Sequence, residues 1–210
     1  MAIVDLNIPI SEAAIRGLHI GDQVRLHGTV ITARDAAHKF IMDTFIHLPV
    51  IPESERGLHD ELKRLWQGGV IYHCGPVVSQ DAAGRWRFVA AGPTTSIREE
   101  PYEAAVIAHF GVRAVIGKGG MGPKTLAACC EHGAVYLHAV GGAATLIASS
   151  VQEVLTVFKK DEFGVPEAFW VVRVEGFPAV VTMDAHGESL HEAIFAASAQ
   201  KLAGLIGAQP

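Results

Sequence analysis

The sequence predicts a mixed α/β protein built in layers. Three observations predict it: the first 33 residues read as β-rich, short strands fill the middle, and strand and helix patterns alternate from about Val112 onward. At 210 residues and 50% hydrophobic, the chain can bury a full core as one domain over 1–210.

The elements follow in order. Ser11-Glu12-Ala13-Ala14 opens a brief helical turn after Pro9, and Gly21-Asp22 is a turn. Residues 23–32 alternate as a strand, and "RDAAHKFIMDTF" from Arg34 to about Phe45 has helical spacing with Asp35 near its start. A charged amphipathic helix is expected over about 53–67, closed by Gly68-Gly69. Short strands are expected at 70–73, 76–79 and 86–91, with Asp81-Ala82-Ala83-Gly84 as the intervening turn. Glu99-Glu100-Pro101 marks a helix start, running to about Phe110 before Gly111. A strand at 112–116, a helix at 125–132 and a strand at 134–140 follow. The small-residue stretch 143–157 reads as helical, 170–174 and 180–184 as late strands, and 189–206 as a terminal amphipathic helix.

Composition excludes several function classes. Net charge is −5 with no Lys/Arg-rich block, so nucleic acid is not an expected partner. No apolar run reaches about 18 residues and the start lacks a signal-peptide pattern, so the expectation is a cytoplasmic protein with no membrane span. The three cysteines, Cys74, Cys129 and Cys130, fit neither a disulfide framework nor a Cys-x-x-Cys metal motif and read as thiols of a reducing compartment.

Chemistry concentrates in two Gly-rich segments, Gly92-Pro93-Thr94-Thr95-Ser96-Ile97-Arg98 and Gly117-Lys118-Gly119-Gly120-Met121-Gly122, each placed between a strand and a helix. The second satisfies G-x-G-x-x-G, but no acid stands about 20 residues on to hold a ribose. Pro123 also separates Gly122 from Lys124-Thr125, which breaks a phosphate-loop pattern. Hydroxyls of Thr94 and Thr95, the planar fork of Arg98 and the point charge of Lys118 suit a carboxylate instead. Arg34, at another strand-to-helix junction, is a third cation; three such cations suit a small dicarboxylate such as a C4 acid.

With "TARDAAH", "HCGPVV", "AAGPTTSIR", "VIGKGGMGPKT", "AVGGAA" and "VPEAFWVVRVEGFPAVVTMDAHG", the chain resembles the β subunit of L(+)-tartrate dehydratase and the C-terminal region of class I fumarases. The resemblance runs from about Ile10 to Leu190, and the segment at about 49–68 looks like a helical insertion. It implies the swivelling β/β/α fold and reversible loss of water from a 2-hydroxy dicarboxylate, malate or L-tartrate. It implies a [4Fe–4S] cluster held by three cysteines of an α subunit, so this chain alone should be inactive. A homo-oligomer or a heterotetramer is expected, with an apolar patch where the partner docks. It makes Thr94 the proton-abstracting group and Arg34, Arg98 and Lys118 the substrate contacts, with Thr95 beside them. The reading from a different class is a stand-alone dicarboxylate-binding or regulatory module. Asp184 and His186 match another segment of the resemblance and read as a pair holding a turn; His38, three places after Asp35, and His73 read mainly as packing.

Overall fold

The computed structural model describes residues 3–207. Its strands are β1 (Val4–Asn7), β2 (Gln23–Thr32), β3 (Val70–Tyr72), β4 (Val77–Gln80), β5 (Trp86–Ala90), β6 (Ala114–Gly117), β7 (Val135–His138), β8 (Val151–Phe158) and β9 (Phe169–Met183). Its helices are α1 (Glu12–Arg16), α2 (Asp35–Ile41), α3 (Glu53–Trp66), α4 (Glu103–Phe110), α5 (Pro123–His132), α6 (Ala144–Ser149), α7 (Lys160–Phe163) and α8 (Leu190–Ile206).

The layered α/β expectation holds, and the main sheet closes on itself. β2, β3, β6 and β7 pair in parallel, in that order. β9 then pairs antiparallel with both β7 and β2, which completes a five-stranded ring. β1 extends one edge of β2, and β8 lies along the first half of β9. Side chains alternate across a strand, so each ring strand serves two cores. Val30, Val70, Tyr72, Ile116, Leu137, Val172, Phe177 and Val181 belong to one core. Ile31, Ile71, Val115, Tyr136, Phe169, Val171 and Met183 belong to the other, shared with α2, α3, α4 and α5. The β4–β5 hairpin leans on the first core, with Trp86 and Phe88 edge-on to Trp170 at 5.4 and 5.9 Å.

Local sequence explains the elements that position the site. Ser11 caps α1 by accepting the Ala14 amide at 3.2 Å, and Ser189 does the same for α8 through Glu192 at 3.4 Å. In α3 only Leu62 and Trp66 are buried, as its charged pattern predicts. α8 buries none of its side chains and leaves Ile194, Phe195, Leu202, Leu205 and Ile206 exposed.

Four expectations need correction. The stretch 143–157 is helical only over Ala144–Ser149, because Val151–Phe158 is rich in β-branched residues and finds an open edge of β9. The two late strands are one: Glu175–Pro178 looks like a turn, but a bulge opposite Leu26–Gly28 absorbs the interruption. The helix expected from Glu99 begins at Glu103, since Ser96–Glu99 forms a separate 3-10 turn and Pro101 has no amide to donate. The helix expected over 34–45 becomes a π-helical turn at Met42–Ile46, which keeps Met42 and Phe45 both on the buried side.

Phe177 is fully buried inside the ring, edge-on to Tyr72 at 5.1 Å. Phe177→Ala is expected to cost about 3–5 kcal/mol, read as a lowered midpoint in urea unfolding with an unchanged slope.

Candidate functional site

Four parallel strands end on the same side of the ring, and ligands of α/β sheets gather at such carboxyl ends. Arg34 lies two residues beyond the end of β2 and caps the N-terminus of α2 in extended conformation. The segment after Gly92 is laced to the end of β3, where the Thr94 amide donates to the His73 carbonyl at 2.6 Å and Cys74 bridges to Pro93. Lys118 directly follows β6. The two Gly-rich segments are then tied to each other: the Lys118 amide donates to the Thr94 carbonyl at 3.2 Å, and the Ser96 amide to the Lys118 carbonyl at 3.0 Å. Thr95 is exposed and forms the bridge partner of Lys118.

Side-chain pairs complete the convergence. Arg98 Nη2 lies 2.8 Å from Asp35 Oδ2, which brings it to the start of α2 beside Arg34. Arg34 Nη2 lies 3.3 Å from Glu167 Oε1, and its Nη1 donates to the Pro166 carbonyl at 3.4 Å. Glu167 also accepts the Ala36 amide at 3.1 Å, so one carboxylate holds both the helix start and the guanidinium. Lys118 runs past Gly141, where an added Cβ would lie 3.8 Å from its Nζ. The structure thus places Arg34, Thr94, Thr95, Arg98 and Lys118 at one end of the ring. None of the five lines the 720 Å³ groove between β5 and β8.

The N-terminus of α5, after the second Gly-rich segment, is already filled. Glu100 accepts the amides of Gly122, Lys124 and Thr125 at 2.7, 2.8 and 3.3 Å, and the Thr125 hydroxyl at 2.7 Å. A carboxylate of the chain therefore sits where a bound phosphate would be held. A Cβ at Gly122 would come 2.6 Å from that carboxyl. This adds a positive reason to the missing acid and the intruding Pro123: the fingerprint serves an internal cap.

Beneath the site lies a buried polar array that the sequence did not reveal. His38 Nδ1 lies 3.0 Å from the Arg34 carbonyl, and its Nε2 3.0 Å from Glu103 Oε2. His73 Nε2 lies 2.9 Å from that same oxygen, and its Nδ1 2.9 Å from Ser96 Oγ, which Tyr136 also reaches at 2.9 Å. Burial alone would raise the Glu103 carboxyl, but the His38 charge and the bonds from both rings outweigh it and hold it down to about 2. Burial opposes the charge on His38 as well, and Glu103 overcomes it, so His38 is raised; His73 is lowered by burial. Glu99, also buried, has no partner for either oxygen, and burial pushes its carboxyl up to about 7. His38 and His73 are visible in the sequence as residues of "ARDAAH" and "HCGPVV", but nothing there pairs them with Glu103.

The remaining candidates are structural. Asp184 is buried and accepts the amides of Ile20, His186 and Glu188 at 3.2, 2.9 and 3.0 Å, while His186 Nε2 meets the Arg16 carbonyl at 3.0 Å. The two hold a turn through backbone groups rather than through each other. Cys74 and Cys129 are buried in different cores, and burial pushes the Cys74 thiol up to about 12. No three thiols converge among the described residues, so the residues present do not fit an iron–sulfur cluster.

Comparison with known proteins bears on this geometry. A family model described as "Fumarase C-terminus" matches residues 1–194. A Geobacillus stearothermophilus protein provisionally named fumarate hydratase class I is 51% identical over 200 residues, covering 95% of this chain. The chain spans 36% of that relative's length. A Methanocaldococcus jannaschii protein provisionally named L(+)-tartrate dehydratase subunit beta is 37% identical, with 94% of this chain and 96% of the relative covered. The L(+)-tartrate dehydratase subunit beta of Escherichia coli K12 is 36% identical, with 88% and 85% covered.

Two outcomes follow from the packing beneath the site. A Cβ at Gly117 would overlap the Ser96 hydroxyl and lie 2.8 Å from the Tyr136 oxygen. Gly117→Ala is expected to cost about 1–3 kcal/mol in denaturant unfolding, because neither neighbour has room to retreat. Glu99 keeps its proton in the folded state up to about 7, against an ordinary 4.5. The folded state therefore binds more protons in that window, and stability falls as pH rises through it. Glu99→Gln should remove this loss: its melting-temperature advantage over wild type grows from pH 4.5 to pH 7.

Proposed function

We propose, from the premise that this chain belongs to the fumarase C-terminus family, that it is the β subunit of a two-subunit hydro-lyase. In this reading the enzyme reversibly removes water from a small 2-hydroxy dicarboxylate, malate to fumarate or L-tartrate to its dehydration product. The observation that carries the proposal is the convergence of Arg34, Arg98 and Lys118 with Thr94 at one end of the ring, where the helix N-terminus that follows the second Gly-rich segment is occupied by Glu100. An anion recruited there meets side-chain cations rather than free amides.

Dehydration removes a proton from the carbon next to a carboxylate and expels hydroxide from the neighbouring carbon. Negative charge builds on that carboxylate as the proton leaves, and cations fixed beside it stabilise the transition state more than the ground state. Arg98 and Arg34 supply the clamps, and Lys118 supplies a point charge on the segment bonded to Thr94. Thr94 takes the proton; a hydroxyl is a weak base, so it acts with the charge of Lys118 nearby. Thr95 orients the substrate.

A [4Fe–4S] cluster, held by cysteines of the α subunit, would supply Lewis-acid chemistry for loss of the hydroxyl in the assembled enzyme. Cys74 and Cys129 are buried in different cores and Cys130 is half-buried beside Cys129, which agrees with that division. Among the described residues no helix is long and apolar enough to cross a membrane, in keeping with a cytoplasmic enzyme. The exposed apolar side chains of α8 offer contact surface to an assembly with the α subunit, as a heterotetramer or with further copies of this chain.

Anaerobic co-expression with a cluster-bearing α subunit should yield turnover of malate, fumarate or a tartrate, whereas the chain alone turns over none. Robust activity from the isolated, metal-free chain would overturn the proposal. In the active complex, Thr94→Val should lower kcat by about 10²-fold or more with KM little changed. Arg98→Lys should raise KM by roughly tenfold, since a point charge cannot replace a bidentate fork.

A further inference from the structure

We infer that Tyr136, Ser96, His73, Glu103 and His38 form one fixed hydrogen-bond array, with His38 held as a permanent imidazolium, and that this array positions Arg34 and the 94–98 segment. The inference deepens the proposed function and rests on it for the role of those two elements.

With Glu103 ionised, donor and acceptor bookkeeping gives the protonation pattern. The Arg34 carbonyl can only accept, so His38 Nδ1, 3.0 Å away, carries a hydrogen. That carbonyl also accepts the His38 amide at 2.8 Å, which fills both its lone pairs. Glu103 Oε2 faces the Nε2 atoms of both rings, at 3.0 and 2.9 Å. As a carboxylate it accepts from both, so His38 carries a hydrogen on each nitrogen and a full charge. His73, donating from Nε2, presents a lone pair at Nδ1 and takes the Ser96 hydroxyl hydrogen. Ser96 in turn accepts from Tyr136. Each of these donors then has one acceptor and each ring nitrogen one partner, and Glu103 Oε1 is the one atom of the array left unpaired.

The shifts of the titrating groups agree with this count. Glu103 is held low and His38 high against burial, while His73 is kept neutral. The groups facing the array from other elements do not disturb it. Glu99 favours the charge on His38, burial outweighs the pull of Asp35 on His73, Tyr102 stacks on His38 at 6.4 Å, and the Cys129 thiol stays protonated.

The contacts of the array with the site explain its purpose. It meets the site at the carbonyl of Arg34, the residue that caps α2, and at the hydroxyl of Ser96, between Thr95 and Arg98. Gly117 leaves room for that hydroxyl directly under the second Gly-rich segment. The array thus fixes the spacing between a cation on α2 and the hydroxyl and cation of the first segment. His38, His73, Glu103, Ser96 and Tyr136 are positioning residues; nothing here gives them contact with substrate.

The test begins with the chain labelled with nitrogen-15 at histidine. His38 should show both ring nitrogens protonated, and His73 a neutral Nε2–H form, unchanged from about pH 6 to about pH 9. Titration of His38 within that interval overturns the imidazolium. A metal bound in equal stoichiometry and lost in His73→Gln overturns the array, because these three side chains could also ligate a cation. For positioning, Ser96→Ala should speed hydrogen exchange of the Lys118 amide by about 10²-fold while β9 amides keep their protection. Equal loss of protection in both places means a merely structural role and overturns it. In the active complex, His38→Gln should act through Arg34 and raise KM about tenfold, whereas Ser96→Ala should act through Thr94 and lower kcat about tenfold. Tyr136→Phe, which keeps the ring and removes one donor, should follow Ser96→Ala in direction with a smaller effect. If no assembly turns over a dicarboxylate, the proposed function fails, while ring protonation and exchange still decide the array.

Discussion

The pair of backbone hydrogen bonds between Lys118 and the Thr94–Ser96 segment is the constraint on which the rest of this end of the molecule depends. Segments rich in glycine lose much conformational freedom on ordering, so neither would hold a fixed shape alone. Joined to each other and to the end of β3, they become a short extension of the parallel sheet. Lys118 leaves β6 as a continuing strand would, and the hydroxyls of the first segment inherit a rigid base. A site built this way places its side chains within the tolerance of a strand rather than of a loop.

Charge is distributed around that base with little left over. Glu100 satisfies the start of α5, Glu167 the start of α2 and one guanidinium, and Asp35 the other guanidinium. Carboxylates of the chain thus hold two of the candidate cations in place, Arg34 and Arg98, and no such partner is observed for Lys118 among the described residues. The cost of this arrangement appears at Glu99, a carboxyl buried without partners and kept protonated up to about 7. Unpaired buried acids gather at functional sites because the environment that shifts them is the one chemistry requires.

Much of this was legible in the sequence, and the failures have a common cause. Strand and helix identities followed from periodicity wherever the local pattern decided the element, as in β2 and α3. They failed where a tertiary partner decided the outcome: the edge of β9 draws Val151–Phe158 into a strand after an alanine-rich start that favours helix. The five candidate residues could be named from the sequence because their motifs carry chemistry within a few positions, and the fold brings them to one end of the ring. The buried array was not, since His38, His73, Ser96, Glu103 and Tyr136 come from five separate segments, and only the ring brings them together. Glu100 was legible as a helix-starting acid, but for the wrong helix: it caps α5 rather than the one that follows it.

Under the proposed function, the electrostatics of the open site favour a site that works when covered. Arg98 and Asp35 are each nearly half exposed, and a surface ion pair of this kind is worth about 0–1 kcal/mol. A substrate carboxylate meeting Arg98 in water gains as little: two unit charges about 4 Å apart attract by roughly 1 kcal/mol in water and roughly 4 kcal/mol at the effective dielectric near a protein surface. The substrate must also compete with Asp35 for the guanidinium. Excluding water strengthens each clamp several-fold without moving an atom of this chain, and it favours the ligand with two carboxylates over the single one already present. A partner that closes over the ends of β2, β3, β6 and β7 thereby turns weak surface cations into selective ones. A rigid, pre-positioned set such as this gains most from that cover, because its ordering cost was met when the ring folded.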